Sequence, residues 1–66
     1  MDYRQVYNDT IALVLAYYQG SNNSENIMRM MALHELFVCA IDQEDEHLTT
    51  RLAARINQHF DNTLTY

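Results

Sequence analysis

The residues of this sequence that could do chemistry lie in a few short runs. Glu44-Asp45-Glu46-His47 contains one Glu-x-x-His spacing, but di-iron bundle sites combine two such motifs with further glutamates. His34-Glu35 begins like a zinc-protease pattern, yet Val38 stands where that pattern needs its second histidine. We therefore predict no metal site. A solvated helix start explains the acidic run, and a partly buried histidine at a helix contact explains His34.

Cys39 and the pair Arg51 and Arg55 are the other candidates. The single cysteine follows Val38 and has no basic neighbour in sequence, so we expect a buried thiol that reacts slowly. The two arginines share a helix face and could touch phosphates, but a net charge of −5 argues against direct nucleic-acid binding. One glycine cannot build a phosphate loop. We predict no enzyme activity and no cofactor.

The elements that must position these residues are predicted to be three helices. The 66 residues include no proline, and Gly20 opens the one obvious break, while the acids after Asp42 form a softer one. Apolar residues recur at helical spacing between the breaks. The pattern predicts an all-α, three-helix bundle in a single domain, 1–66, with helices over 3–18, 24–41 and 45–62.

Each predicted helix start has a polar residue three positions before a second one. The pairs are Asp2 with Gln5, Asn22 with Glu25, and Asp42 with Asp45, and each approximates a capping box. The first two helices carry apolar residues on more than one face, so a monomer would leave part of that surface wet. We therefore expect a homodimer formed through these two helices, with core and dimer residues Ile11, Val14, Tyr18, Leu33, Leu36 and Ile56.

The cluster of Met28, Met30 and Met31 has two interpretations, which the sequence leaves open. Flexible thioethers fill irregular cores, and they also line adaptable binding surfaces. In the second interpretation the methionines form a surface bordered by carboxylates, which a larger and basic protein could recognise. The hypothetical partner-binding residues are Met28, Met31, Phe37, Asp42, Glu44, Asp45 and Glu46.

The order of these features resembles a family of small bacterial regulators. An apolar helix ends at Gln19-Gly20-Ser21-Asn22, a second helix opens at Glu25-Asn26-Ile27-Met28, and an acidic turn leads into Leu48, Leu52, Ile56 and Phe60. This order is similar to the AriR/YmgB group of biofilm and acid-resistance regulators, the two-component connector proteins, over residues 6–62. The resemblance implies an all-α dimer that acts by contact with regulatory proteins, and it supplies no catalytic residue.

These observations predict a non-enzymatic adaptor that modulates a larger regulatory protein. The alternative is a phage- or plasmid-encoded inhibitor, of an anti-CRISPR or nucleic-acid-mimic kind, whose acidic surface blocks its target. No signal peptide is visible, and no stretch approaches the roughly 20 apolar residues of a membrane span, so we expect a cytoplasmic protein without a membrane partner.

Overall fold

The computed structural model describes residues 1–64, and the side chain of Leu64 is not among the parts described. These residues fold into three helices, α1 (Tyr3–Gly20), α2 (Ser24–Asp42) and α3 (Glu46–Leu64). All three pack against one another in a bundle measuring 33 × 17 × 16 Å. The prediction of a small all-α three-helix bundle is thus confirmed. None of these helices is both long and apolar enough to cross a membrane.

The ends of the helices follow local capping chemistry. Asp2 caps α1 as predicted, because its carboxylate accepts a hydrogen bond from the backbone N–H of Gln5. The other two predicted caps are wrong by one and three residues. Asn23 rather than Asn22 caps α2, and Asp45 rather than Asp42 caps α3 by accepting from the Leu48 N–H at 3.0 Å. Several polar side chains stand next to each start, and a neighbour of the predicted residue serves as the cap.

The turn between α2 and α3 is a Schellman motif. The N–H of Asp45 bonds to the carbonyl of Ala40, and the N–H of Glu44 bonds to the carbonyl of Ile41. Glu44 adopts the left-handed conformation, with φ of 53°, at the position where glycine is preferred. We call the segment Asp42–Glu46 the acidic turn. The hydroxyl of Tyr3 donates to the Glu44 carbonyl at 2.7 Å and ties the start of α1 to this turn.

The core is one cluster to which every helix contributes. Tyr7 on α1 stacks on Phe37 with 6.4 Å between ring centroids, and Phe37 is fully buried. Of the predicted core residues, Val14 and Ile56 are fully buried, whereas Ile11, Tyr18 and Leu33 are half-buried at its edge. Leu36 does not belong to this core, because 56% of it is exposed, and its predicted place in a dimer contact stays a prediction. The fully buried apolar side chains are Val14, Tyr17, Met30, Phe37, Ala40 and Ile56.

A partly buried polar network holds the C-terminal half of α3. Nε2 of His59 lies 3.0 Å from the carbonyl oxygen of Asn26 and 3.1 Å from the hydroxyl of Tyr17. The hydroxyl of Thr63 donates to the His59 carbonyl at 2.6 Å and lies 2.7 Å from the Tyr17 hydroxyl. Since a carbonyl oxygen can only accept, Nε2 of His59 carries a proton and donates it to Asn26. The network therefore ties α3 to both other helices.

Candidate interaction site

The three methionines of α2, which the sequence could not assign to core or surface, divide between its buried and its exposed side. Met30 is fully buried in the core, so the core interpretation holds for it. Met28 is 68% exposed and Met31 is 52% exposed, so these two do not fill the core of this structure. The same helix therefore uses one thioether for packing and presents two to the surroundings.

The exposed methionines belong to a longer stripe along α2. We call this the methionine stripe, and its members follow one another at spacings of three or four residues, which places them on one face of a helix. All of them are exposed. Three are sulfur-bearing and two are carboxylates, and they are Met28, Met31, Glu35, Cys39 and Asp42.

Cys39 corrects the prediction of a buried thiol. It is exposed and lies on the methionine stripe, beside a shallow depression lined by His34, Glu35 and Val38. The apolar neighbours Val38 and Ala40 pointed to burial, but adjacent residues on a helix lie about 100° apart and do not share a face. Ala40 is fully buried, whereas Cys39 faces outward.

Phe37 is a second correction. The hypothesis placed it on the partner-binding surface with Met28 and Met31, but it is fully buried against Tyr7 and cannot contact a partner in this structure. Its spacing of nine residues from Met28, at about 100° a residue, puts it on the side of α2 opposite that methionine. Phe37 is therefore a core residue, and the exposed apolar surface of α2 consists of aliphatic and sulfur side chains.

The acidic turn forms a separate feature at one end of the bundle. All of Asp42, Glu44, Asp45 and Glu46 are exposed, as the partner hypothesis requires. Two of these carboxylates already have intramolecular partners. Asp45 caps α3, and an oxygen of Glu46 lies 3.8 Å from the amino group of Met1. Only Asp42 also belongs to the methionine stripe.

The negative charge of the turn acts on the nearby phenol of Tyr3. Partial burial, followed by the charges of Glu46, Glu44 and Asp45, raises the pKa of Tyr3 above its usual value. Burial and the charge of Glu35 raise the pKa of Tyr18 in the same direction. In both cases the folded protein favours the neutral phenol.

An open groove of about 420 Å³ runs between α2 and α3, on the side of α2 that faces α3. Sequence reasoning missed it, because Arg29 and Arg55 come together only when the two helices are placed side by side. Glu25 lies 3.7 Å from Arg29, and among residues 1–64 no carboxylate oxygen lies within 4.0 Å of Arg55. The groove is lined by Arg29, Ala32, Leu33, Leu36, Arg55, Gln58, His59 and Asn62.

Within residues 1–64, no three His, Cys, Asp or Glu side chains lie close enough to hold a metal ion together. His59 also escaped sequence reasoning, although its place on the Leu52–Ile56–His59–Thr63 stripe would have marked it as inward-facing. Its ring serves the network described above.

Comparisons with protein families, with curated proteins and with solved structures found no match to this chain.

Proposed function

We propose that this protein is a non-enzymatic regulatory adaptor that binds a larger protein through the methionine stripe. The observation that carries the proposal is the exposure of Met28 and Met31 on a helix whose core side is already filled by Met30, Phe37 and Ala40. Flexible thioethers adapt to partner surfaces, and they are enriched at the centre of protein interfaces.

The charges beside the stripe specify the kind of partner. Glu35 and Asp42 lie on the same helix face as the three sulfur side chains, so a bound segment would meet apolar contacts and carboxylates together. A partner with apolar side chains flanked by lysine or arginine complements this pattern, and the charges would mainly set the association rate. The resemblance to the AriR/YmgB regulators agrees with such a role.

The alternative is an inhibitor whose acidic turn imitates nucleic acid. The exposure of all four carboxylates favours it. Two of the four are engaged within the chain, however, and they crowd one turn instead of following an extended line of phosphate-like spacing. The adaptor is therefore the function that the geometry supports better.

The adaptor is tested by capture from the source cell followed by mass spectrometry. The test variant is Met28→Gln with Met31→Gln, which changes two exposed side chains and should keep the fold. The control is Leu15→Gln on α1, where a residue of similar exposure, 54%, is changed in the same way. We expect a captured protein that is lost with the double variant and retained with the control. Equal capture by all three forms would contradict the proposal.

A second variant separates the two functions. Glu44→Gln, Asp45→Asn and Glu46→Gln together remove three charges, and asparagine keeps a side chain able to cap α3. An adaptor held by the methionine stripe should keep its equilibrium affinity within about threefold and lose mainly association rate. A nucleic-acid mimic should lose its target. Circular dichroism of each variant checks that the bundle is intact.

A further inference from the structure

The α2–α3 side of the bundle has opposite charges at its two ends. Arg29, near the start of α2, and Arg55, at the middle of α3, both line the groove, and the acidic turn lies where the two helices meet. Arg29 is thirteen positions from Asp42, about 20 Å along α2, and Arg55 is nine positions from Glu46, about 14 Å along α3. Both distances exceed the screening length of roughly 8 Å at physiological ionic strength, so the arginines and the acidic turn act as separate charged patches.

Apolar side chains lie between these patches on the same side. Leu36, 56% exposed, lines the groove together with Ala32 and Leu33. Leu48 is 38% exposed and lies in the first turn of α3, directly after the acidic turn. One side of the molecule thus presents a groove lined by two arginines and by apolar side chains, followed by Leu48 next to a cluster of carboxylates.

We propose that a second copy of this chain docks in the α2–α3 groove in an antiparallel arrangement, so that the acidic turn of each copy faces Arg29 and Arg55 of the other. Two-fold symmetry makes the same surface meet itself. An antiparallel arrangement brings unlike ends together at both sites, whereas a parallel arrangement would place the two basic grooves side by side. The chain therefore carries both halves of a complementary contact.

The proposed dimer contact lies on a different surface from the one that the sequence indicated, and the adaptor proposal does not depend on it. The sequence indicated pairing through α1 and α2, but the groove arginines and the acidic turn place the complementary charges on the α2–α3 side. The methionine stripe lies on the other side of the exposed surface of α2, since none of its members lines the groove. Its members stay accessible in the dimer except Asp42, which also belongs to the acidic turn, so either proposal can fail while the other stands.

Sedimentation equilibrium between ~1 and ~100 µM tests the self-association directly. We expect a reversible dimer that weakens as NaCl rises from about 0.05 to 0.5 M, because the screening length falls from roughly 14 to 4 Å. Arg55→Gln should weaken the dimer by about tenfold. Arg4→Gln on α1 removes the same charge away from the groove and should leave the dimer unchanged. A strictly monomeric protein, or equal effects of the two substitutions, would overturn the proposal.

A complementation experiment tests the antiparallel geometry. One variant carries Arg29→Glu and Arg55→Glu, which makes its groove acidic. The other carries Asp42→Lys, Glu44→Lys and Glu46→Lys, which places three lysines beside the capping Asp45 and so makes its turn basic. Each variant alone should be monomeric because like charges meet at both sites, and a 1:1 mixture should form a heterodimer in which both sites are attractive. Failure of two folded variants to associate when mixed would exclude this arrangement.

Discussion

Helices α2 and α3 have the same length, 19 residues, but distribute their apolar residues differently. Over residues 46–63, most apolar side chains of α3 point into the core, and the outward positions are almost all polar, with Leu48 as the largest exception. Helix α2 also fills its share of the core, yet it exposes Met28, Met31 and Leu36. Packing of the core explains where the apolar residues of α3 lie, with Leu48 as the exception. Helix α2 contains apolar surface which folding does not use.

The largest expected effect is a difference in stability between two substitutions on α2, one on its buried side and one on its exposed side. Phe37→Ala removes a fully buried ring, and we expect a loss of about 3–5 kcal/mol in the free energy of unfolding, enough to unfold much of a small domain. Met31→Ala changes a half-exposed side chain and should cost less than about 1 kcal/mol. Urea denaturation followed by circular dichroism measures both. Similar losses would mean that the exposed side of α2 contributes to stability after all.

The polar network predicts the next largest effect, at the C-terminal half of α3. Tyr17→Phe keeps the buried ring but removes the hydroxyl that meets His59 and Thr63, so stability should fall by about 1–2 kcal/mol. The control is Tyr7→Phe, whose ring stacks on Phe37 through its face. A loss at Tyr17 no greater than that at Tyr7 would show that the network adds nothing to the attachment of α3.

The turn that joins the two helices offers a stabilising change. Glu44→Gly places glycine at the left-handed position of the Schellman motif, and we expect a gain of about 0.5–1 kcal/mol. Glu44→Gln removes the same charge without relieving the backbone, so it separates strain from charge. If the two variants have equal melting temperatures, the left-handed conformation is not a source of strain.

Alkaline pH should lower stability through the tyrosines near the carboxylates. Because the pKa of Tyr3 is raised in the folded protein above its usual 10.0, the folded and unfolded states bind this proton equally below that pH. At higher pH the unfolded chain loses the proton first, so the free energy of unfolding falls. Ionisation also removes the hydrogen bond to Glu44. Denaturation midpoints measured on either side of pH 10 should fall less for Tyr3→Phe than for the wild type.

The smallest effect is expected at Cys39. Because the thiol is exposed on the outward side of α2, unfolding should change its rate of reaction with a thiol reagent by less than about tenfold. Ala40→Cys in a Cys39→Ser background is the matched comparison, since position 40 is fully buried. That thiol should react much more slowly in the native state. Strong native protection of Cys39 in a monomeric sample would contradict the outward orientation.

The fold was predictable because three helical periodicities, one glycine break and the absence of proline leave few alternatives. The first cap followed from Asp2, whereas the other two shifted because several polar residues near each start can serve. The orientations of Cys39 and Phe37 were not predictable, because the apolar residues of α2 are distributed over several of its faces and their helical periodicity is weak. The groove was not predictable either, because Arg29 and Arg55 line it together only when α2 and α3 pack at one particular position along each other.

The methionine stripe also has a consequence for oxidation. Its three sulfur-bearing residues, Met28, Met31 and Cys39, are exposed on one face of α2. Oxidants should therefore reach them before the thioether of the buried Met30. Each oxygen added turns an apolar side chain into a polar one. A stored or stressed sample would therefore lose the apolar character of the outer side of α2 while the bundle beneath it stays folded, with Met30 as the internal reference for how far the damage has gone.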